Sequence, residues 1–413
     1  MNERYLINDI CDVGSSKRIY LSEYQDTGIP FYRGKEIIEK DSNKEISNEL
    51  FISHERYNEI KEKFGVPEKG DILMTAVGTI GISWYVNETD FYFKDGNLIW
   101  FKNFKKDIVN SKYLYYIFKS KLFSEIIKNI SIGSTQKAIT IEQVKKIELE
   151  FPKIEIQNRI VKILDNINNK IRVNNEINNN LYELSDNLYN EWFVKFNFPK
   201  FDGKLKESEL GMIPEKWNVG YFDDGILTKI IKSGVQNFDG FKRYIATADV
   251  TNTDITNYTL VDYDNKPSRA NMTPIKSSVW FAKMENSIKN ILVDDYMGDI
   301  LNNYIFSTGF MGMECFKNSV NYIWSIINNR KFIDIKNSLS TGTLMAGISN
   351  TTIVNFKYLI PDEETLLQYN LKLREINRKI YNNKKQNEIL KQLRDALLPK
   401  LMNGEIDLNN IEI

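Results

Sequence analysis

Residues 164–186 read LDNINNKIRVNNEINNNLYELSD, and residues 373–395, 209 positions later, read LREINRKIYNNKKQNEILKQLRD. The match extends without a gap from Gly133–Asp186 to Gly342–Asp395. A self-match at a fixed period indicates one structural unit that is used twice. The duplication therefore predicts a molecule with an approximate two-fold axis.

Both copies of the repeat contain the pattern of a long helix. Between Ile154 and Trp192 there is no glycine or proline, and apolar residues recur at alternating steps of three and four. This spacing is typical of the seam of a coiled coil. The second copy shows the same pattern from Tyr369 to Leu401, and we expect Pro399 to fray or end that helix.

Each seam contains a pair of asparagines at the same repeat offset, Asn174 and Asn178 in one helix and Asn383 and Asn387 in the other. A buried asparagine lowers stability but penalises a shifted register, where it would lie unpaired against Leu or Ile. The alternative is that these side chains face solvent in an Asn-rich chain. The recurrence favours the seam, and we expect antiparallel helices with the four asparagines near the middle and the mixed domains at opposite ends of a rigid spacer.

The rest of the chain has the mixed pattern of an α+β fold. Apolar runs bounded by glycines, such as 72–74, 82–86 and 97–101, predict strands, and 111–130 predicts a helix. Four segments result: a mixed domain over 1–151, a spacer helix over 152–200, a linker and second mixed domain over 201–361, and a second helix with a tail over 362–413.

Composition places the chain among soluble globular proteins. Its 413 residues can fill more than one core, and no apolar run approaches the roughly 20 residues of a membrane span. The first residues show no secretory signal, and two isolated cysteines predict a reducing, cytoplasmic compartment. A formal net charge of zero argues against non-specific nucleic-acid binding but leaves room for binding by a local face.

Signs of catalysis are largely missing from the sequence. His54 is the only histidine and is expected at a helix start, and one histidine with two distant cysteines cannot build a standard zinc site. The sequence has no GxxxxGK[ST] loop, no Asn-Pro-Pro-aromatic motif and no convincing cluster of carboxylates for a metal nuclease. The sequence predicts a binding and positioning protein without catalytic residues, metal or cofactor of its own.

Two glycine-containing stretches are candidates for ligand contact: residues 75–81 (TAVGTIG) and residues 133–138 (GSTQKA). Exposed backbone beside Ser, Thr, Gln or Lys suits contacts with phosphates and base edges. The alternative is a plain turn. Basic residues also lie beside aromatic ones in 31–35 (FYRGK) and 241–244 (FKRY), which is a weak pattern.

Together these features resemble the specificity subunit of type I restriction-modification systems. The resemblance covers essentially the whole chain in family order. No single motif is highly specific, so it depends on order, spacing and duplication. It rests on residues 29–37 (IPFYRGKEI), 70–74 (GDILM), 133–139 (GSTQKAI), 152–160 (PKIEIQNRI), 188–193 (LYNEWF) and 211–217 (GMIPEKW).

The resemblance implies two target-recognition domains that each read one half of a split, double-stranded DNA sequence. It implies that the helices bind two modification subunits, which hold S-adenosylmethionine and methylate adenine, with or without restriction subunits. The second half departs from the first, with SVWFAKMEN at 278–286 where the first has DILMTAVG at 71–78, and looks like a different subclass of recognition domain. We therefore expect an asymmetric target.

For direct DNA contact we expect Arg33, Lys35, Thr79, Gln136 and Lys137 in the first domain, and Arg243, Lys283, Asn286 and Lys289 in the second. Three alternatives stay open at this point: a single-chain nuclease or methyltransferase, a coiled-coil scaffold that does not read DNA, and the specificity subunit of a system that only methylates.

Overall fold

A computed structural model describes residues 2–42, 46–133, 137–340 and 347–406. The chain forms two compact units, the first from Met1–Arg172 with Gln386–Ile413 and the second from Val173–Lys385. Each unit combines strands and helices around its own apolar core. The mixed α+β class expected from the sequence is confirmed.

The described strands of the first unit form three sheets. One pairs Glu3–Leu6 antiparallel with Glu148–Phe151. The second, the core sheet, is antiparallel with the order Asp12–Gly14, Leu98–Lys102, Ile72–Thr75, Ser83–Tyr85. The third has the order Tyr24–Gln25, Phe51–Ile52, Ile29–Tyr32, Tyr92–Phe93, and its last pair is parallel. Besides the long helices, the unit has α-helices Ile7–Ile10, Gly34–Asp41, His54–Phe64, Ser111–Phe118, Lys121–Ile130 and Ile141–Lys145.

The second unit has corresponding sheets and two additional hairpins. Asn218–Tyr221 pairs with Lys357–Ile360. Its core sheet has the order Thr228–Ile230, Phe310–Cys315, Ser278–Ala282, Asn290–Val293, and its mixed sheet the order Thr259–Val261, Lys242–Ile245, Tyr304–Ser307, Ala270–Met272. The hairpins are Leu205–Ser208 with Gly211–Pro214, and Val250–Thr251 with Asp254–Ile255. Its shorter α-helices are Gly298–Asn303, Val320–Asn328, Arg330–Ser338 and Asn350–Ile353.

The repeat extends into both mixed domains. In each core sheet the strands, numbered as they occur along the chain, lie in the order first, fourth, second, third, and each mixed sheet contains one parallel pair. Helices Ser111–Phe118 and Lys121–Ile130 recur 209 residues later as Val320–Asn328 and Arg330–Ser338. The two core sheets thus share one strand order. The mixed sheets do not, because their strands lie in the order first, third, second, fourth in the first unit and second, first, fourth, third in the second. The expected difference in subclass stays a prediction.

The two long helices are Ile154–Tyr189, which continues as a π-helical turn over Asn190–Val194, and Glu363–Met402. In the first unit, Ile160 and Leu164 share a core with Leu398 and Leu401. In the same unit, the Arg394 guanidinium donates to Oδ1 of Asn168 at 3.2 Å. Residue numbers rise along one helix as they fall along the other, so the helices are antiparallel here.

The second unit shows the same direction of pairing. Nδ2 of Asn383 donates to Oδ1 of Asn178 at 2.8 Å, and the rings of Trp192 and Tyr369 lie 5.6 Å apart between centroids. The expected antiparallel packing is confirmed within each unit.

The seam asparagines are buried. Asn174, Asn178, Asn383 and Asn387 are 1%, 5%, 3% and 6% exposed, respectively. Their burial excludes the solvent-facing alternative, because a side chain facing water would keep most of its accessible surface. Their role in setting the register stays a prediction.

We expect the single substitution Asn178→Leu to lower the free energy of unfolding by about 1–3 kcal/mol, because it leaves the buried amide of Asn383 without its acceptor. Replacing both asparagines with leucine should recover most of that loss, since two apolar side chains need no partner. Urea unfolding of the wild type, both single variants and the double variant checks this as a double-mutant cycle. Additive losses would contradict the coupling.

Pro399 does not end the second helix, which continues to Met402. The expectation that it frays there was therefore wrong. A proline removes one main-chain donor and crowds the preceding turn, but here it lies in the last turn of the helix. Leu398 and Leu401 are 8% and 3% exposed, so their burial stabilises this turn.

The helix predicted over 111–130 is two helices, Ser111–Phe118 and Lys121–Ile130. Ser120 starts the second one, because its hydroxyl accepts a hydrogen bond from the main-chain N–H of Phe123 at 3.2 Å. Serine favours this capping role, which competes with its place inside a continuous helix.

None of the helices in the described part of the chain combines the length and apolar character that crossing a bilayer requires. Cys11 and Cys315 are both buried free thiols.

Candidate nucleic-acid interface

A tight hairpin loop, residues 76–81, connects Ile72–Thr75 to Ser83–Tyr85 in the first core sheet; we call it the first reading loop. The N–H of Thr75 donates to the carbonyl of Ile82 at 2.9 Å and closes the loop. Gly78 and Gly81 have φ values of +79° and +81°, which side chains other than glycine rarely adopt. The backbone of this loop therefore depends on its glycines.

The neighbouring segment 137–139 lies against the first reading loop. Gly78 donates its N–H to the carbonyl of Lys137 at 3.0 Å, and Ile139 donates to the carbonyl of Ala76 at 2.9 Å. Lys137 and Ala138, the described end of the second glycine-containing stretch, thus lie beside the first stretch.

The second unit contains a loop of the same length at the same position, residues 283–288, which we call the second reading loop. The N–H of Ala282 donates to the carbonyl of Lys289 at 3.0 Å, as Thr75 does to Ile82. Ile348, the repeat equivalent of Ile139, donates to the carbonyl of Lys283 at 2.9 Å. The two loops are equivalent in backbone pairing although their sequences, AVGTIG and KMENSI, share no residue.

In each unit a helical turn follows a strand of the mixed sheet, and in the first unit a Cβ on Gly34 of that turn would lie 3.8 Å from Cγ2 of Thr75, the residue before the reading loop. The turn is closed by a carboxylate that accepts from the main chain: Glu36 from the N–H of Arg33 at 2.7 Å, and Asp249 from the N–H of Ala246 at 2.8 Å. In the second unit, Nζ of Lys289 donates to the carbonyl of Thr247 at 2.6 Å, which ties the loop to this turn.

Thr79 and Asn286 occupy the same position of the two reading loops, and both are exposed. Lys137 is exposed beside the first loop. Gln136 lies outside the described residues. The structure therefore places Thr79, Lys137 and Asn286 on or against the two loops with exposed side chains, and Lys283 on the second loop with a partly buried one.

The two basic residues of the first helical turn differ in how accessible their side chains are to a ligand. The Arg33 guanidinium bonds to Oε1 of Glu36 at 2.6 Å, and Glu36 is fully buried. Lys35 is 59% exposed and its Nζ lies 3.9 Å from Glu39. Arg33 compensates a buried carboxylate, whereas most of the Lys35 side chain is accessible.

The basic residues predicted to contact DNA in the second unit are bonded to other groups of the protein or partly buried. The Arg243 guanidinium donates to Asp299 at 2.9 Å and to the hydroxyl of Tyr304 at 3.2 Å. Burial lowers the pKa of Lys283. A DNA contact by Arg243 would have to compete with an existing ion pair.

Lys336 and Asn337 belong to this site but were not predicted. Lys336 is 2% exposed, and its Nζ donates to the carbonyls of Ala282 at 3.3 Å, Met284 at 3.1 Å and Ser287 at 2.6 Å. Burial lowers its pKa to about 8. A sequence signal existed, because the repeat aligns this lysine with Ile127 on the apolar face of a helix.

No group of three or more His, Cys, Asp or Glu side chains is arranged to hold a metal ion within the described ranges. Ser53 caps the helix that His54 begins, since its hydroxyl accepts from the N–H of Arg56 at 3.1 Å. The single histidine is thus a helix-start residue, as expected.

Comparison with known proteins agrees with the resemblance seen in the sequence. Residues 2–183 match the family described as type I restriction modification DNA specificity domain. Over 430 aligned positions the chain is 27% identical to the type I restriction enzyme MjaIX specificity subunit of Methanocaldococcus jannaschii, covering 98% of this chain and 93% of that protein. Both comparisons show that the chain is similar to the type I restriction-modification specificity subunits. The alternative classes, a single-chain enzyme and a scaffold, are not favoured.

Further specificity subunits are also similar to this chain. A putative subunit of Haemophilus influenzae, S.HindORF215P, is 33% identical over 166 residues, which cover 40% of each chain. The crystal structure of the type I S subunit from M. genitalium matches with a TM-score of 0.60 at 13% identity, over 97% of this chain and 96% of that one. At that identity the match shows the shared fold.

Proposed function

We propose that this specificity subunit reads a two-part, asymmetric sequence in double-stranded DNA, and that each recognition domain reads one half through its reading loop. The observation that carries the proposal is the pair of equivalent six-residue loops with unlike side chains. Equivalent backbones favour the same way of approaching a groove, and unlike side chains favour different bases. The proposed recognition domains are residues 1–151 and 201–361.

The residues at the shared loop position have the chemistry for base reading. Oδ1 of Asn286 already accepts from Asn337 and its Nδ2 donates to Glu285. One lone pair and one N–H remain, with which the amide can accept from and donate to the edge of one adenine, a pairing worth about 1–3 kcal/mol of discrimination. The hydroxyl of Thr79 can donate or accept one bond, and its methyl group can pack against a thymine methyl. Lys35 and Lys137 are exposed cations suited to phosphates, which fix position without reading sequence.

The reaction would belong to partner subunits. We propose that two modification subunits, which would hold S-adenosylmethionine, methylate adenine where this subunit places them, with or without restriction subunits. The chain would then be a non-catalytic subunit that works in the cytoplasm, where such DNA is accessible. The similarity to specificity subunits over nearly the whole chain supports this division of labour.

The test is a map of methylated adenines made by the complex assembled with its modification subunits on a random-sequence duplex library. The wild type should give one split motif. Asn286→Ala should relax the preference by about tenfold at one or more bases of one half, and Thr79→Val should do so in the other half.

In each variant the unaffected half-site is the internal control. Changes that spread equally over both halves, or a wild type that gives a continuous motif, would contradict the proposal. A complex that methylates without any sequence preference would contradict it most directly.

A further inference from the structure

The second reading loop is supported from below by a buried ammonium group. Lys336 lies on the helix Arg330–Ser338, and its Nζ donates to the carbonyls of Ala282, Met284 and Ser287. An ammonium has three donors, and three main-chain acceptors satisfy them. Removing a charge from water is unfavourable unless its hydrogen bonds are replaced, so the position of these carbonyls is coupled to that of the ammonium.

The next residue on the same helix holds the tip of the loop. Oδ1 of Asn337 accepts from the N–H of Asn286 at 2.9 Å, and its Nδ2 donates to Oδ1 of Asn286 at 3.1 Å. Asn286 has a φ of +50°, which an asparagine adopts more readily than most residues. The helix therefore positions both the backbone of the loop and the side chain proposed to read a base.

The first unit supports its loop in a different way. The repeat aligns Lys336 with Ile127, which is 2% exposed, and a Cβ on Gly81 would lie 3.2 Å from Cγ2 of Ile127. There an apolar side chain packs against a glycine of the loop. In the second loop Ile288 occupies the position of Gly81, and the helix contacts main-chain oxygens instead.

We propose that Lys336 is a positioning residue for DNA reading by the second unit: it sets the backbone of residues 282–287 and thereby determines which bases Asn286 can contact. The inference rests on the proposed function. A role in stability alone is the competing explanation, since the loss of three hydrogen bonds to a charged group destabilises a protein in any case.

The experiment compares Lys336→Ile, which introduces the residue of the first copy, with Lys336→Arg and Lys331→Met. Lys331 is exposed on the same helix, so Lys331→Met is the matched control for loss of one lysine. Each variant complex methylates the same random-sequence duplex library, and the purified variants are followed by thermal unfolding and amide hydrogen exchange.

We expect Lys336→Ile to change base preference at least tenfold in the half-site that Asn286→Ala identifies, and to leave the other half unchanged. The amide of Asn286 should lose its protection from exchange. Lys336→Arg should retain part of the preference, because a guanidinium can still donate to carbonyls, and Lys331→Met should behave as wild type.

A loss of methylation that is uniform over all sequences and follows the drop in melting temperature would overturn the inference and leave the proposed function intact. A wild type without a split motif would overturn the proposed function itself. If Lys336→Ile does not fold, Asn337→Ala provides the test. It leaves the ammonium in place, and it should shift the same base positions; an unchanged motif would count against the inference.

Discussion

Replacing Gly312 with valine should lower the free energy of unfolding by about 3 kcal/mol, a loss typical of overpacking in a rigid core. Gly312 lies opposite Trp280 in the second core sheet. A Cβ at this position would lie 2.4 Å from Cζ3 and 2.5 Å from Cη2 of the Trp280 ring. Such distances are far below van der Waals contact, so the ring or the strand would have to move.

The ring has little freedom to move. Trp280 is fully buried, its Nε1 donates to Oγ of Ser278 at 2.9 Å, and it packs edge-on against Phe306 with 5.0 Å between ring centroids. Denaturant unfolding of the purified chain measures the effect. Gly298→Ala is the matched control, because a Cβ there meets no atom within 4 Å and the residue begins a helix. Equal stability of Gly312→Val and wild type would refute the clash.

The substitution Gln157→Leu should also destabilise the chain by about 3 kcal/mol, because it removes the three hydrogen bonds that the fully buried side chain of Gln157 makes with main-chain groups. Oε1 of Gln157 accepts from the N–H of Asn110 at 3.0 Å. Its Nε2 donates to the carbonyls of Ile108 and Pro152, both at 2.8 Å. Leucine fills a similar volume but leaves one donor and two acceptors unpaired.

The repeat provides an informative comparison for this variant. The equivalent residue of the second copy is Leu366, which is 1% exposed, so leucine is compatible with the helix itself. Glu155→Leu, at an exposed position of the same turn, is the control for an added apolar side chain. A melting temperature of Gln157→Leu that matches this control would show that the three bonds contribute little.

Features that depend on periodic apolar residues could be predicted from the sequence. The two long helices, their antiparallel pairing and the burial of the seam asparagines all follow from one spacing pattern that occurs twice. The split of 111–130 into two helices and the course of the second helix through Pro399 were missed. In the first case the capping preference of Ser120 outweighs the continuous apolar pattern, and in the second the burial of Leu398 and Leu401 outweighs the helix-breaking tendency of Pro399. Which of the two prevails depends on neighbours that are distant in sequence.

The equivalence of the two mixed domains could not be predicted, because a sheet requires only apolar side chains at alternate positions and not particular ones. In the first core sheet Trp100 lies on the fourth strand along the chain and faces Leu73 on the second. In the second core sheet Trp280 lies on the second strand and faces Gly312 on the fourth, so the large ring has changed strands. Such an exchange keeps one large ring between the two strands while it removes sequence similarity.

The candidate site was predicted in part. Thr79, Lys137 and Asn286 are exposed on or beside the loops, as a residue that reads or binds DNA must be. Their role in DNA binding stays a prediction. Arg243 was chosen for its charge, but an ion pair with Asp299 already engages it. Lys336 was missed because its partners are main-chain oxygens, and the exchange of Ile127 for a lysine between the two copies indicates a buried charge without indicating what it contacts.

The division of the chain into units has a consequence for biosynthesis. The first unit needs Leu398 and Leu401 to cover Ile160 and Leu164, and the ribosome adds these leucines after the entire second unit. Domains usually fold in the order of their synthesis, but here the unit made first must wait longest with apolar surface uncovered. A messenger truncated just before codon 386 should therefore yield a product in which residues 1–172 are the part that binds chaperones and is degraded by proteases.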